Sequence, residues 1–344
     1  MKIIRFLTPQ SSTPLFGVVV ADYAVSFTSL QALSGNSASY LANSNRYLEC
    51  LPESEKTAKS LLDWGLRHID EIDDKSPLYS VQLLEPVEVA ALYDFALTPR
   101  HLKNAFTTML SYEKNNPDIL AVMQAIGKSI VSKEPSEADI KMGALSHYKS
   151  SMNSIVGENT DVPWPLYTSR LDIEPELAAI YGNEKQLVAG YCIFNDISAR
   201  DIQPIDLVCG MGLCRSKDLE AGNQLGPYLV TLDEVGDPYN LKVIVKVDGE
   251  KTCEGSTAEI SHKAESVFSY LSTYSKIKPG TVVGFGTVSD TTALDHDGPW
   301  IDPGSRIEIS IEKLGTSRCK FNLPTEKLYS SRWPLRTEME KFHK

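Results

Sequence analysis

Two nearby stretches, Leu171–Gly182 and Gly190–Gln203, alternate apolar and polar residues with a period of two, the pattern of β-strands. In an extended chain Asp172, Glu174 and Glu176 point to one face, and Asp196 sits in a run whose apolar lead-in predicts partial burial. Carboxylates converging in a half-buried place repel one another unless a cation lies among them; a solvated acidic strand face is the other reading. Elsewhere the same reasoning predicts short strands over residues 1 to about 35, with a turn at Ala21-Asp22. Ala58, Leu61, Leu62, Leu66 and Ile69 recur at helical spacing within 52–74, and a helix is predicted over 98–127, with Thr98 as N-cap and Pro99 at its first position. Pro135 to Asp139 reads as a polar loop. From 145 onward the texture is strand-rich, punctuated by turns such as Asp248-Gly249 and Pro279-Gly280 and by one helix, His262 to Tyr274. The Asp- and Gly-rich stretch 288–304 reads as a surface loop. These elements predict an α+β, mostly β protein: a small module at 1–86 and a larger domain at 87–344.

The length of 344 residues suits two domains, and 42% hydrophobic with 23% charged residues is ordinary globular composition. A net charge of −11 argues against sequence-blind binding to nucleic acid or to an anionic membrane. No apolar stretch is long enough to span a bilayer, and the first residues carry no secretory h-region. The six cysteines form no CxxC pair, so buried reduced thiols and a cytoplasmic location are expected.

Two Glu and an Asp with no His or Cys at metal spacing suit a hard divalent cation, Mg²⁺ or Mn²⁺ before Zn²⁺. Glu174-x-Glu176-Leu177 followed by Gly190-Tyr191-x-x-x-Asn195-Asp196-x-Ser198-Ala199-Arg200-Asp201-x-Gln203 resembles the signature of the fumarylacetoacetate hydrolase family. The resemblance continues through Ser216-Lys217, Leu225–Val230, Lys278–Thr287 and Leu314-Gly315-Thr316, and Phe16–Val20 also fits. It implies a divalent metal (Mg²⁺ foremost, with Mn²⁺ or Ca²⁺ as alternatives) on Glu174, Glu176 and Asp196. It also implies a small SH3-like N-terminal domain, a mixed β-roll or β-barrel catalytic domain, and a homodimer. Tyr93-Asp94-Phe95 with His101 resembles the longer, fumarylacetoacetase-like members, where the Asp completes the metal site and the His activates water. The same resemblance assigns Lys217 a fixed positive charge beside an enolate, and substrate contacts to Tyr148, Arg200, Gln203 and Thr287; a packing aromatic fits Tyr148 equally well. Arg200 suits a structural ion pair equally well. Glu308 falls where those members place the carboxylate that orients the His, although an exposed strand position fits it as well.

This chain departs from those members at Ala96, Leu110 and Leu207, where they carry polar groups toward the substrate's far end. Fumarylacetoacetate is therefore not the expected substrate. The reading that follows is hydrolysis of a carbon–carbon bond in a β-diketo acid or acylpyruvate-like compound. Here the metal acts as Lewis acid, His101 as general base and a small keto acid as partner. A decarboxylase, tautomerase or dehydratase of a 2-keto acid is the alternative on the same residues. A non-catalytic relative is a third reading, against which the intact carboxylates and Lys217 speak.

Overall fold

The strands Pro175–Tyr181 and Val188–Asp196 pair antiparallel, with Glu176 opposite Phe194 and Pro175 opposite Asn195. Both are buried along their whole length. Their period of two therefore divides residues between two cores rather than between core and water. Leu177, Ala179 and Ile193 pack with Val243, Phe268, Phe285 and Ile309, whereas Ala178, Ile180, Cys192 and Phe194 pack with Phe27, Leu30, Tyr47 and Leu61. The computed structural model describes residues 1–131, 145–329 and 331–343; the polar stretch Pro135 to Asp139 lies outside them.

This strand pair is the middle of a large mixed sheet. On one side Thr281–Gly284 runs antiparallel to Pro175–Tyr181 and parallel to Ala91–Phe95, setting Gly284 beside Asp94. His147–Lys149 closes that edge with Tyr148 opposite Asp94. On the other side Asn223–Val230 pairs with Val188–Asp196 and then with Lys2–Thr8, to which Ser11–Val20 and Tyr23–Ser26 are added. The N-terminal strands thus hydrogen-bond directly to the larger part of the chain. A second, antiparallel sheet of four strands comprises Lys242–Val247, Glu250–Ser256, Arg306–Ile311 and Gly315–Lys320.

Several predicted elements shift. Residues expected to stay extended to about 35 turn helical at Phe27–Ser34, because the Ser26 side chain accepts the Ser29 N–H and Phe27 and Leu30 face the core. The helix predicted over 98–127 is two, Pro99–Glu113 and Pro117–Val131, since Pro117 lacks the N–H that continuation needs. Pro99 opens the first as expected, but the Thr98 side chain makes no capping bond. Glu113, fully buried, accepts hydrogen bonds from Trp333 Nε1 (2.9 Å) and from Arg332, and Trp333 stacks on Tyr112 at 4.3 Å. The C-terminal segment so clamps the end of the helix that carries His101. All six cysteines are free, and among the described residues no helix is long and apolar enough to cross a membrane.

Candidate active site

Four carboxylates meet where these strands end. Asp94 comes from Ala91–Phe95, Glu176 from Pro175–Tyr181 and Asp196 from the last position of Val188–Asp196. Glu174 stands in the short break between strands before Pro175, held by its N–H to Asn195 Oδ1 (3.3 Å) and by its carbonyl, which accepts the Asp196 N–H (3.1 Å). One oxygen from each of the four lies within 4.8 Å of the others, and all four residues are buried. Glycine makes room: a Cβ on Gly284 would sit 2.6 Å from Glu176 Oε2, and Gly286, at φ +93°, donates its N–H to that oxygen (2.9 Å).

Lys217 Nζ donates to Glu174 Oε2 (2.6 Å) and to Asp196 Oδ2, and Arg200 is ion-paired to Glu174. Two cations against four carboxylates leave negative charge uncompensated. Burial, and then repulsion from Asp94, Asp196 and Glu174, pushes the Glu176 carboxyl well above its ordinary range. Burial likewise raises Asp94 and Asp196, with Lys217 pulling both back in part. Burial works on Glu174 too, but Lys217, Arg200 and His101 outweigh it and hold that carboxyl well below the usual value. Asp94 Oδ1, Glu176 Oε1 and Asp196 Oδ1 are buried without a hydrogen-bond partner. Three orphaned carboxylate oxygens in one cluster fit a hard divalent cation, which needs oxygen ligands and supplies the missing charge. Asp172, expected on the same face, is not among the four. Leu171–Asp172 is a separate short strand paired with Ser198–Ala199, and Asp172 instead accepts Arg200 Nε (2.9 Å) and the N–H groups of Ala293 (3.1 Å) and Leu294 (3.0 Å).

His101 lies in the first turn of Pro99–Glu113, buried, with Nε2 3.8 Å from Glu174 Oε1. Its Nδ1 is 2.9 Å from Asp295 Oδ1, and the Asp295 carboxyl is held below its ordinary range because His101 outweighs the effect of burial. Glu308, expected to orient His101, does not: it projects half-exposed from Arg306–Ile311, with Arg318 Nε at 3.7 Å. The stretch 288–304 is likewise no simple surface loop. Thr292 caps the single turn Ala293–His296, accepting the Asp295 N–H (3.1 Å), and Ala293, Leu294 and Asp295 are buried. Asp295 was hidden in the sequence by its Asp- and Gly-rich neighbours; Thr-x-x-Asp, a capping-box-like spacing, is the local signal that could have found it.

The remaining candidates gather around the cluster. Tyr148 donates its hydroxyl to Asp196 Oδ2 (3.0 Å), and its ring lies 5.5 Å from Lys217 Nζ. Arg200 is fully buried; beyond Asp172 and Glu174, its Nη1 donates to Gln203 Oε1 (3.2 Å). The ion-pair role is the one its geometry shows. Thr287 and Gln203 line a cavity of about 320 Å³ that opens over the carboxylates and extends between apolar side chains of the helices above.

Among known proteins, the chain is 28% identical over 191 residues to an uncharacterized protein of Staphylococcus aureus (strain USA300), covering 53% of this chain and 62% of that relative's length. The fold matches the structure of maleylpyruvate hydrolase from Sphingobium sp. SYK-6 in complex with manganese(II) ion and pyruvate (TM-score 0.60, 18% identity, 94% of this chain and 100% of that one). It also matches 5-carboxymethyl-2-hydroxymuconate delta-isomerase from Mycobacterium smegmatis (TM-score 0.59, 19% identity, 93% and 98% covered). A hydrolase and an isomerase share this architecture, so at these identities the likeness speaks for the fold alone. The family model for the C-terminal domain of fumarylacetoacetate (FAA) hydrolase matches residues 118–322, well over half the chain and the part that carries Glu174, Glu176, Asp196 and Lys217. The chain belongs to the fumarylacetoacetate hydrolase family.

Proposed function

We propose that the protein hydrolyses a carbon–carbon bond in a β-diketo acid or acylpyruvate-like substrate, using a divalent cation, with Mg²⁺ or Mn²⁺ the best suited. The observation that carries this reading is the His101–Asp295 pair, whose Nε2 faces the carboxylate cluster, 3.8 Å from Glu174 Oε1. Asp94, Glu174, Glu176 and Asp196 would hold the cation, which supplies Lewis acidity and a template for a chelating dioxygen unit. Asp295 fixes the imidazole with its proton on Nδ1 and stabilises the charge that develops when Nε2 takes a proton from water. The water oxygen bonds to the acyl carbon, and the carbon–carbon bond electrons leave with the keto-acid fragment as an enolate. Lys217, kept protonated by Asp196 and Glu174 against the effect of burial, supplies fixed positive charge beside it. His101 then returns its proton to that carbon, giving a carboxylic acid and a 2-keto acid. Thr287 lines the polar end of the cavity and can offer its hydroxyl to the substrate carboxylate, while Tyr148 donates its own to Asp196.

The test is His101→Ala, with Asp295→Asn beside it, on an acylpyruvate panel with Mn²⁺ and release of both acids followed. Undiminished turnover in either variant would remove the dyad from the reaction. Conversion of a 2-keto acid without incorporation of ¹⁸O from labelled water would favour decarboxylation or tautomerisation instead.

A further inference from the structure

The cavity has two unlike ends. At one stand the carboxylates, Lys217 and Thr287; at the other, Leu102, Ala105, Phe106, Met109, Leu207 and Leu294 form the wall. Phe106, Met109 and Leu294 belong to one buried apolar cluster, with Leu207 packed against it. The basic side chains lining the cavity, among the described residues, are His101, His147, Arg200 and Lys217. Each is already engaged. His101 Nδ1 holds Asp295, Arg200 holds Asp172 and Glu174, and Lys217 holds Glu174 and Asp196. His147 lies 3.0 Å from the Leu145 carbonyl through Nδ1 and 3.0 Å from the Tyr274 hydroxyl through Nε2. Asp206, on the same helix as Leu207, adds negative charge to the lining, its carboxylate fixed by the Ser216 N–H (2.8 Å) and hydroxyl (2.7 Å).

The geometry points to a specific substrate class: keto acids whose end remote from the acid group is an uncharged alkyl chain or aromatic ring. A second carboxylate at that end would lose its water to methyl groups with no unengaged cation among the described lining residues to replace it, and would meet Asp206 besides. An apolar tail gains by leaving water for the same wall. Ala96 lines the cavity and Leu207 its apolar end, whereas Leu110 packs outside the lining, against the apolar cluster. The inference rests on reading the carboxylate cluster as the keto-acid end, and not on which bond the enzyme breaks.

It is tested by calorimetric binding to the Mn²⁺-loaded protein of two length-matched series of 2-keto acids, one ending in alkyl or phenyl and one in a carboxylate. The apolar series is expected to bind at least about tenfold more tightly. Leu207→Arg and, independently, Leu102→Lys should reverse the order, both positions being half-buried and able to send a long side chain along the wall. Equal or tighter binding of the carboxylate series, or no binding of either, would overturn the assignment. Tight binding of the apolar series with no cleavage of the corresponding apolar-tailed acylpyruvates would keep it and end the hydrolase reading. Cleavage confined to carboxylate-tailed substrates would do the reverse.

Discussion

Asp94, Glu176 and Asp196 stand on strands of one sheet, with Glu174 just before one of them, whereas Leu102, Phe106 and Met109 project from one face of a helix laid over them. The floor is held by backbone pairing on both sides of each strand, so its carboxylates cannot move apart to relieve their repulsion. The roof is held by side-chain packing and by the clamp of Arg332 and Trp333 on Glu113. A rigid floor can keep charge poised in an unfavourable arrangement until a cation arrives. A helix face, by contrast, can exchange one apolar side chain for another at small cost. On the proposed reading, chemistry and selectivity are therefore carried by different parts of the molecule, and each should break without the other.

The largest effect should come from the floor. Asp196→Asn or Glu176→Gln should abolish both turnover and the stabilisation, read as a rise in Tm, that Mn²⁺ or Mg²⁺ gives the unaltered protein, a stabilisation of about 2.7 kcal/mol at a hundredfold excess over Kd. An unaltered protein whose melting ignored both ions and EDTA would break the floor's assignment as a cation site. Next, His101→Ala should lower turnover by about 10² to 10⁴-fold while the ion's effect on Tm survives, because the base is not a ligand. Loss of both together would merge the two functions.

On the roof, Glu113→Ala should cost about 2 kcal/mol in denaturant unfolding, because it strands Arg332 and the Trp333 N–H in the interior. Little change in the ion's effect is expected, and a large one would show that roof and floor are coupled. A smaller and graded effect is expected from pH. A cation must displace protons from Asp94, Glu176 and Asp196, whose carboxyls burial raises above their ordinary values. The gain in Tm on adding Mn²⁺ should thus be largest at high pH and shrink as pH falls through those raised values; a gain independent of pH would contradict the proton competition. The smallest effect belongs to Glu308→Gln, within about 0.5 kcal/mol in stability and without consequence for turnover. A hundredfold loss there would restore Glu308 in place of Asp295.

Part of the candidate site was legible in local spacing: Glu176 and Asn195-Asp196 lie on strands, where a period of two dictates direction, and Glu174 directly precedes one. Asp94 and His101 are legible only through the resemblance to a family, since by themselves they read as a turn or cap residue and a helix-surface histidine. Asp295 was not legible, because a polar, glycine-bearing stretch looks the same whether it lies in water or folds over a histidine. Asp172 was misplaced for a related reason: extended periodicity holds only while the strand continues, and the strand is interrupted between Asp172 and Pro175. The break between the two helices could be read from Pro117, whose missing N–H acts locally whatever surrounds it.

The chain itself determined which residues can serve as oxygen ligands, base and cation, and where its strands and helices run, because those properties belong to side chains and to neighbours within a few positions. Only the tertiary structure decided that strands from residues 91, 175, 188 and 281 lie side by side and that a half-exposed Glu308 faces Arg318 while Asp295 reaches His101. It also decided that the apolar helix face closes over the charged floor. Those outcomes depend on burying surface between segments far apart in sequence, which no local pattern encodes.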